Sequence, residues 1–230
     1  MKKRKNAWIT TVTKEQLNDV IKAVRKIDDY KQMKDTTIVK KLLDDGIDLY
    51  STCKNIDKQF PAICMATVKQ NGYALEYVKE QTPELCMAAV RQNGHALQHV
   101  KKQTPDTCLT AVQQNGHALQ HVKEQTPEIC MATVRQYGLA LEFVKKQTPE
   151  ICMAAVKENG WALKYVKKQT PEVCMTAVKQ NGEALEYVKE QTPELCMAAV
   201  KQNNEALEYV NKKFKIKILV GSNPKRRQND

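Results

Sequence analysis

The residues best suited to hold a metal or carry redox chemistry are four histidines and eight cysteines. His95 and His99, and then His117 and His121, are each spaced i, i+4, which places both rings of a pair on one side of a helix. Four imidazoles brought within reach of one another can bind zinc, nickel or copper. Clustered histidines can alternatively make a contact pH-sensitive. A plainer role competes: where His99 and His121 stand, equivalent stretches carry Tyr77, Phe143, Tyr165, Tyr187 or Tyr209, so a flat ring is wanted there for packing. Cys64, Cys86, Cys108, Cys130, Cys152, Cys174 and Cys196 recur every 22 residues. Stacked helices lie about 8–10 Å apart, whereas a disulfide needs Cα atoms within ~7 Å. The cysteines are therefore expected to form a ladder of small buried hydrophobes in a reducing compartment. They lack the close pairs that zinc sites use, and Cys53 stands outside the ladder.

Nothing else in the chain resembles a catalytic set. There is no Ser/His/Asp constellation, no phosphate-binding glycine loop and no inward pair of carboxylates. The recurring acids, Glu84 for example, follow a Thr-Pro step and suit the positive end of a helix dipole. The expectation is a non-enzymatic protein with no cofactor.

These residues are positioned by an internal repeat. Pro61, Pro83, Pro105, Pro127, Pro149, Pro171 and Pro193 open seven copies over residues 61–214, each 22 residues long. A fixed period of this size marks a solenoid. In the second copy, Thr82 can N-cap and Pro83 fits the first helical position, where no N–H is needed. Glu84 and Arg91 suit the two ends of the dipole. Asn93-Gly94 is expected to stop the helix, with Gly left-handed; the last copy has Asn203-Asn204 there, Asn being the next most tolerant residue. A second helix is expected from His95 to about residue 103, ended by the next Thr-Pro. Stepping 100° per residue puts Leu85, Cys86, Ala89 and Val90 on one apolar stripe and Ala96, Leu97 and Val100 on another, with His99 at its edge. Helices this short are marginal alone, so each copy gains an interior only by stacking on its neighbours.

The copies are nearly identical, and the outward face of the second helix is where they differ. Its first position reads Tyr73, His95, His117, Leu139, Trp161, Glu183 and Glu205. One turn on it reads Glu76, Gln98, Gln120, Glu142, Lys164, Glu186 and Glu208. Unconstrained drift at exposed sites is one account of this. The functional account is a protein-binding strip, with Leu139 and Trp161 as apolar anchors and Lys164, Glu183, Glu186 and Glu205 setting charge complementarity. Repeat proteins commonly bind along such extended surfaces.

The net charge of +11 is unevenly placed. Residues 61–210 hold 16 basic and 16 acidic side chains, so the repeats are neutral and the excess lies at the two ends. Lys69, Arg91, Arg135, Lys157, Lys179 and Lys201 form a row, broken by Gln113, that suits helix C-termini better than a phosphate backbone. The runs Lys2-Lys3-Arg4-Lys5 and Lys225-Arg226-Arg227 are the stronger candidates for nucleic acid, an anionic partner or a nuclear import receptor. No apolar run approaches the ~20 residues of a membrane span, and the stretch over 6–13 is too short and polar for a secretion signal. The expected location is intracellular, in cytoplasm or nucleus.

The pattern Cys-Met-Ala-Ala-Val-Lys-Gln-Asn-Gly-x-Ala-Leu-x-Tyr-Val resembles a short helical repeat catalogued as a domain of unknown function, associated with giant DNA viruses and some intracellular bacteria and protists. The resemblance spans residues 61–214 and implies an α-solenoid without assigning an activity. The chain is thus expected to be all-α: a helical cap over residues 1–60, containing a degenerate half repeat, then seven helix-turn-helix repeats over 61–214. Residues 215–230 are expected to be a short extended segment and a basic disordered tail, because Phe214, Ile216 and Ile218 alternate with lysines in the manner of a strand.

Overall fold

The computed structural model describes residues 61–221. The expected N-terminal cap, including Cys53 and the first basic run, and the second basic run both lie outside the described residues. The chain divides into two compact units, Met1–Asn115 and Gly116–Asp230. In the first, the described elements are α1 (Pro61–Gln70), η1 (Gly72–Tyr77), α2 (Pro83–Gln92), η2 (Gly94–His99) and α3 (Pro105–Gln114), where η denotes a 3₁₀-helix. The second holds η3 (Gly116–His121), α4 (Pro127–Gln136), η4 (Gly138–Phe143), α5 (Pro149–Glu158), η5 (Gly160–Tyr165), α6 (Pro171–Gln180), η6 (Gly182–Tyr187), α7 (Pro193–Gln202), η7 (Asn204–Tyr209) and α8 (Lys212–Gly221). The fold is an all-α repeat solenoid. Within each unit, α packs on the next α and η on the next η.

The α-helices start as their sequence dictates. Thr82 is extended, its side chain accepts from Leu85 N–H, and Pro83 follows at the first position. The apolar stripes are buried as read: Leu85, Cys86, Ala89 and Val90 on α2, and Ala96, Leu97 and Val100 around η2. All seven repeat cysteines are buried as thiols, not as disulfides.

The second element differs from the helix expected from His95 to residue 103. It is a six-residue 3₁₀-helix, and the chain is already extended at Val100. Its bonds run Ala96 N–H to Asn93 C=O at 2.9 Å and Val100 N–H to Leu97 C=O at 3.1 Å. The reason lies in the glutamine just before each Thr-Pro. In the second unit, Gln147 donates to the Leu141 carbonyl at 3.4 Å and to the Tyr165 carbonyl, one repeat on, at 2.8 Å. Its oxygen accepts from Lys167 N–H, also one repeat on, at 3.0 Å. Gln125, Gln169 and Gln191 make the same bonds to the ring-bearing carbonyls of Phe143, Tyr187 and Tyr209. Polar backbone at the end of each 3₁₀-helix is thus satisfied by a side chain, as burial demands, and no further helical turn is needed. The Cys152 thiol donates to the same Gln147 oxygen at 3.6 Å.

The junction glycines also act differently from expectation. Where an asparagine precedes the glycine it is extended, as at Asn159 (φ −147°, ψ 113°), and its side chain caps the 3₁₀-helix by accepting from Trp161 N–H at 3.0 Å, whereas Tyr137, before Gly138, makes no side-chain cap. None of the described junction glycines has the positive φ of a left-handed residue. Glycine is required because the next repeat passes too close: a Cβ on Gly160 would sit 2.6 Å from the Ala177 carbonyl oxygen. Its N–H donates to Gln180 Oε1 at 2.6 Å, so a second glutamine row joins the repeats. Asn204 holds the corresponding place in η7 and is exposed, and among the described residues no further repeat follows it.

The C-terminal alternation yields a helix rather than a strand. In α8, Phe214 is half-buried and Ile218 fully buried, one helical turn apart, while Ile216 is 77% exposed. Docking of α8 on α7 selects the 3.6-residue period over the two-residue one.

Candidate interaction surface

A 3₁₀-helix has three residues per turn, so side chains at i and i+3 lie one above the other. In η5 this puts Trp161 above Lys164 on the outer side and Ala162 beside the Tyr165 ring, while Leu163 is buried. Stacking then produces three parallel rows. The ring row (His121, Phe143, Tyr165, Tyr187 and Tyr209 in the second unit) is half-buried throughout. Each glutamine holds the carbonyl of such a ring residue, so ring spacing is set by the backbone lattice.

The variable row packs against this ring row one repeat on. Tyr73 meets His99 edge-on at 5.8 Å in the first unit. In the second, His117 meets Phe143 at 5.3 Å and Trp161 meets Tyr187 at 5.7 Å. Trp161 is therefore half-buried, whereas Leu139 is 44% exposed. His95 is half-buried and its Nε2 lies 3.1 Å from Asn115 Nδ2. The third row is exposed, and in it Lys164 sets its ammonium over the rings of Tyr165 and Tyr187, 5.7 and 5.8 Å from their centroids.

Charge changes sign along the second unit. Beyond Lys164 the strip carries Glu183 and Glu186, then Glu205 and Glu208. Glu183 accepts from Asn203 Nδ2 at 3.0 Å. The phenols feel this field. Burial and the neighbouring Glu142 raise the pKa of Tyr165. Burial, with Glu186 close by, raises that of Tyr187. Burial, then Glu186, Glu208, Glu183 and Glu205, raise that of Tyr209. An open depression of about 530 Å³ ends the strip, lined by Glu183, Glu205, Leu207, Glu208, Tyr209 and Lys215 among others.

Other sequence-based candidates come out differently. His99 and His117 engage rings, and among the described residues no group of three or more His, Cys, Asp or Glu is arranged to hold a metal ion. The cysteines are poor nucleophiles, because burial raises the thiol pKa of Cys86, Cys108, Cys130, Cys152, Cys174 and Cys196. Backbone hydrogen bonding at the helix start and Thr82 lower the pKa of Glu84, consistent with its capping role. Lys69, Arg91, Arg135, Lys157, Lys179 and Lys201 are exposed at helix C-termini. Among the described residues no helix is long and apolar enough to cross a membrane. The residues that sequence reasoning missed are the two glutamine rows, the second of which carries Glu158 in one copy; their signal was near-invariance between copies beside a row that varies.

The repeat matches the family described as Domain of unknown function (DUF4116), over residues 82–126, 104–148, 126–170, 148–192 and 170–215. No curated protein and no solved structure matches the chain.

Proposed function

This chain belongs to that family, and we propose that it is a non-enzymatic scaffold whose partner proteins dock on the strip bearing Tyr73, His95, His117, Leu139, Trp161, Lys164, Glu183, Glu186 and Glu205. One observation carries this reading. Positions fixed by the lattice, namely the buried stripes, the glutamines and the junction glycines, barely change between copies, and diversity concentrates on a row standing over half-buried rings. Aromatic and aliphatic side chains anchored on a rigid frame lose little entropy on binding, which favours them as contact points. On the same reading the buried, unbridged thiols suit a reducing, intracellular compartment. The test is quantitative capture of partners from native cells by the wild-type chain and by a Leu139→Ala/Trp161→Ala variant. Selective loss of partners supports the strip, and an unchanged set refutes it.

A second reading is supported by the placement of charge. Residues 61–210 are neutral, so contact with nucleic acid falls to Lys2, Lys3, Arg4, Lys5, Lys225, Arg226 and Arg227. Affinity for RNA or DNA that declines steeply with salt supports it; no affinity at low salt removes it.

A further inference from the structure

Lys164 shows how a cation sits on this surface. Its ammonium lies over the ring pair Tyr165–Tyr187, within the ~6 Å at which a ring quadrupole attracts a positive charge. One repeat on, the equivalent ring pair is Tyr187–Tyr209, but Glu186 stands where Lys164 would be. The chain supplies no lysine of its own at that position. It supplies four carboxylates instead, from Glu183, Glu186, Glu205 and Glu208, around rings that remain half-buried. Lys215 lines the adjoining depression and offsets one of these charges.

We propose that the Tyr187–Tyr209 slot binds a lysine or arginine side chain from a basic, extended segment of a partner protein, seated as Lys164 is seated in the preceding slot. Carboxylates on either side select the sign of the guest, and the paired rings select a cation on a long apolar stem, which packs along ring faces while its head stays hydrated. The slot lies at the last repeat, where Leu207 is only half-buried although Leu141, Leu163 and Leu185 at the same position are fully buried. A segment arriving there finds open apolar surface beside the acidic strip. The inference rests on the scaffold reading and narrows it to one chemistry.

The probe is a fluorescein-labelled 12-residue peptide of alternating Lys and Ser, with its Glu/Ser counterpart as control, titrated by anisotropy against the full chain at low and physiological salt. The Lys peptide alone is expected to bind. Glu186→Lys, which fills the slot from within, is expected to weaken binding about tenfold or more. Lys164→Glu, which opens the preceding slot, is expected to strengthen it. Tyr209→Leu leaves charge unchanged and is expected to weaken binding about two- to fivefold. Glu172→Lys makes the same charge change on exposed α6 and is expected to leave binding near the wild-type value. Circular dichroism verifies the fold of each variant.

Absence of binding at low salt, equal losses in Glu172→Lys and Glu186→Lys, or no effect of Tyr209→Leu would each overturn the proposal. So would binding that emerges only when Lys225, Arg226 and Arg227 are replaced by Ser, which assigns the slot to the chain's own tail. Self-association abolished by Glu186→Lys assigns it to a second copy and overturns it equally. If partner capture still depends on Leu139 and Trp161 while the peptide fails, this inference falls and the scaffold reading stands.

Discussion

Replacing Gln147 by Ala should cost this protein more than any single exposed polar residue would suggest. The side chain donates to the Leu141 and Tyr165 carbonyls, at 3.4 and 2.8 Å, and accepts from Lys167 N–H at 3.0 Å and from the Cys152 thiol at 3.6 Å. The 3.4 Å and thiol bonds are weak. The other two join neighbouring repeats, and each is worth about 0.5–1.5 kcal/mol net. Leaving the Tyr165 carbonyl without its donor, in a half-buried setting, adds desolvation of similar size. The expected loss is about 2–4 kcal/mol, measured by urea unfolding with circular dichroism. Hydrogen exchange supplies the local check, because the Lys167 amide should lose protection in the variant. Gln147→Glu refines it: the acceptor oxygens stay but the donor is lost, and an ionised carboxylate then faces two carbonyl oxygens. That arrangement holds the folded-state pKa of the introduced carboxyl above its unfolded value. Its proton-dependent stability is therefore present at low pH and is lost as pH rises through the folded pKa, so the variant should regain stability relative to wild type on acidification. Loss of less than about 0.5 kcal/mol in Gln147→Ala, with Lys167 exchange unchanged, would refute the view that glutamines tie the repeats together.

Gly160→Ala should destabilise by about 1–3 kcal/mol through collision with the Ala177 carbonyl, whereas Asn204→Ala, where no further repeat follows among the described residues, should stay within about 0.5 kcal/mol in calorimetry. Leu163→Ala, at a fully buried position, should cost about 2–5 kcal/mol by the same measurement. The buried thiols have folded pKa values above the ordinary value of 9.0, so their share of stability is intact below it and is lost as pH rises beyond it. Melting temperature is expected to fall above that range, with part of the fall removed in Cys152→Ala. Alkylation of the native thiols by iodoacetamide at neutral pH should be slow and should become fast in denaturant.

Much of this architecture can be read from short-range pattern. Thr-Pro-Glu opens a helix wherever it occurs, because capping, the fixed φ of proline and the dipole all act within one turn. The buried stripes follow from 100° periodicity. The 22-residue period required that copies stack, since no copy can enclose its own apolar side chains. The location of a variable strip also followed from comparing copies. Four features instead depended on atoms about 20 residues distant in sequence. The second element stops at six residues because Gln147 and its equivalents take over its carbonyls and reach the next repeat. Glycine at the junction answers a neighbouring carbonyl, not its own φ, and Asn204 stands where no further repeat follows among the described residues. The stretch over 214–220 reads equally well at either period until α7 offers a surface that buries Ile218. The seating of Lys164 over Tyr187 pairs residues from different repeats, which no one-dimensional pattern shows. Local rules act through bonds and turns that the chain carries within itself, whereas steric exclusion and cross-repeat hydrogen bonding exist only after stacking has brought distant residues together.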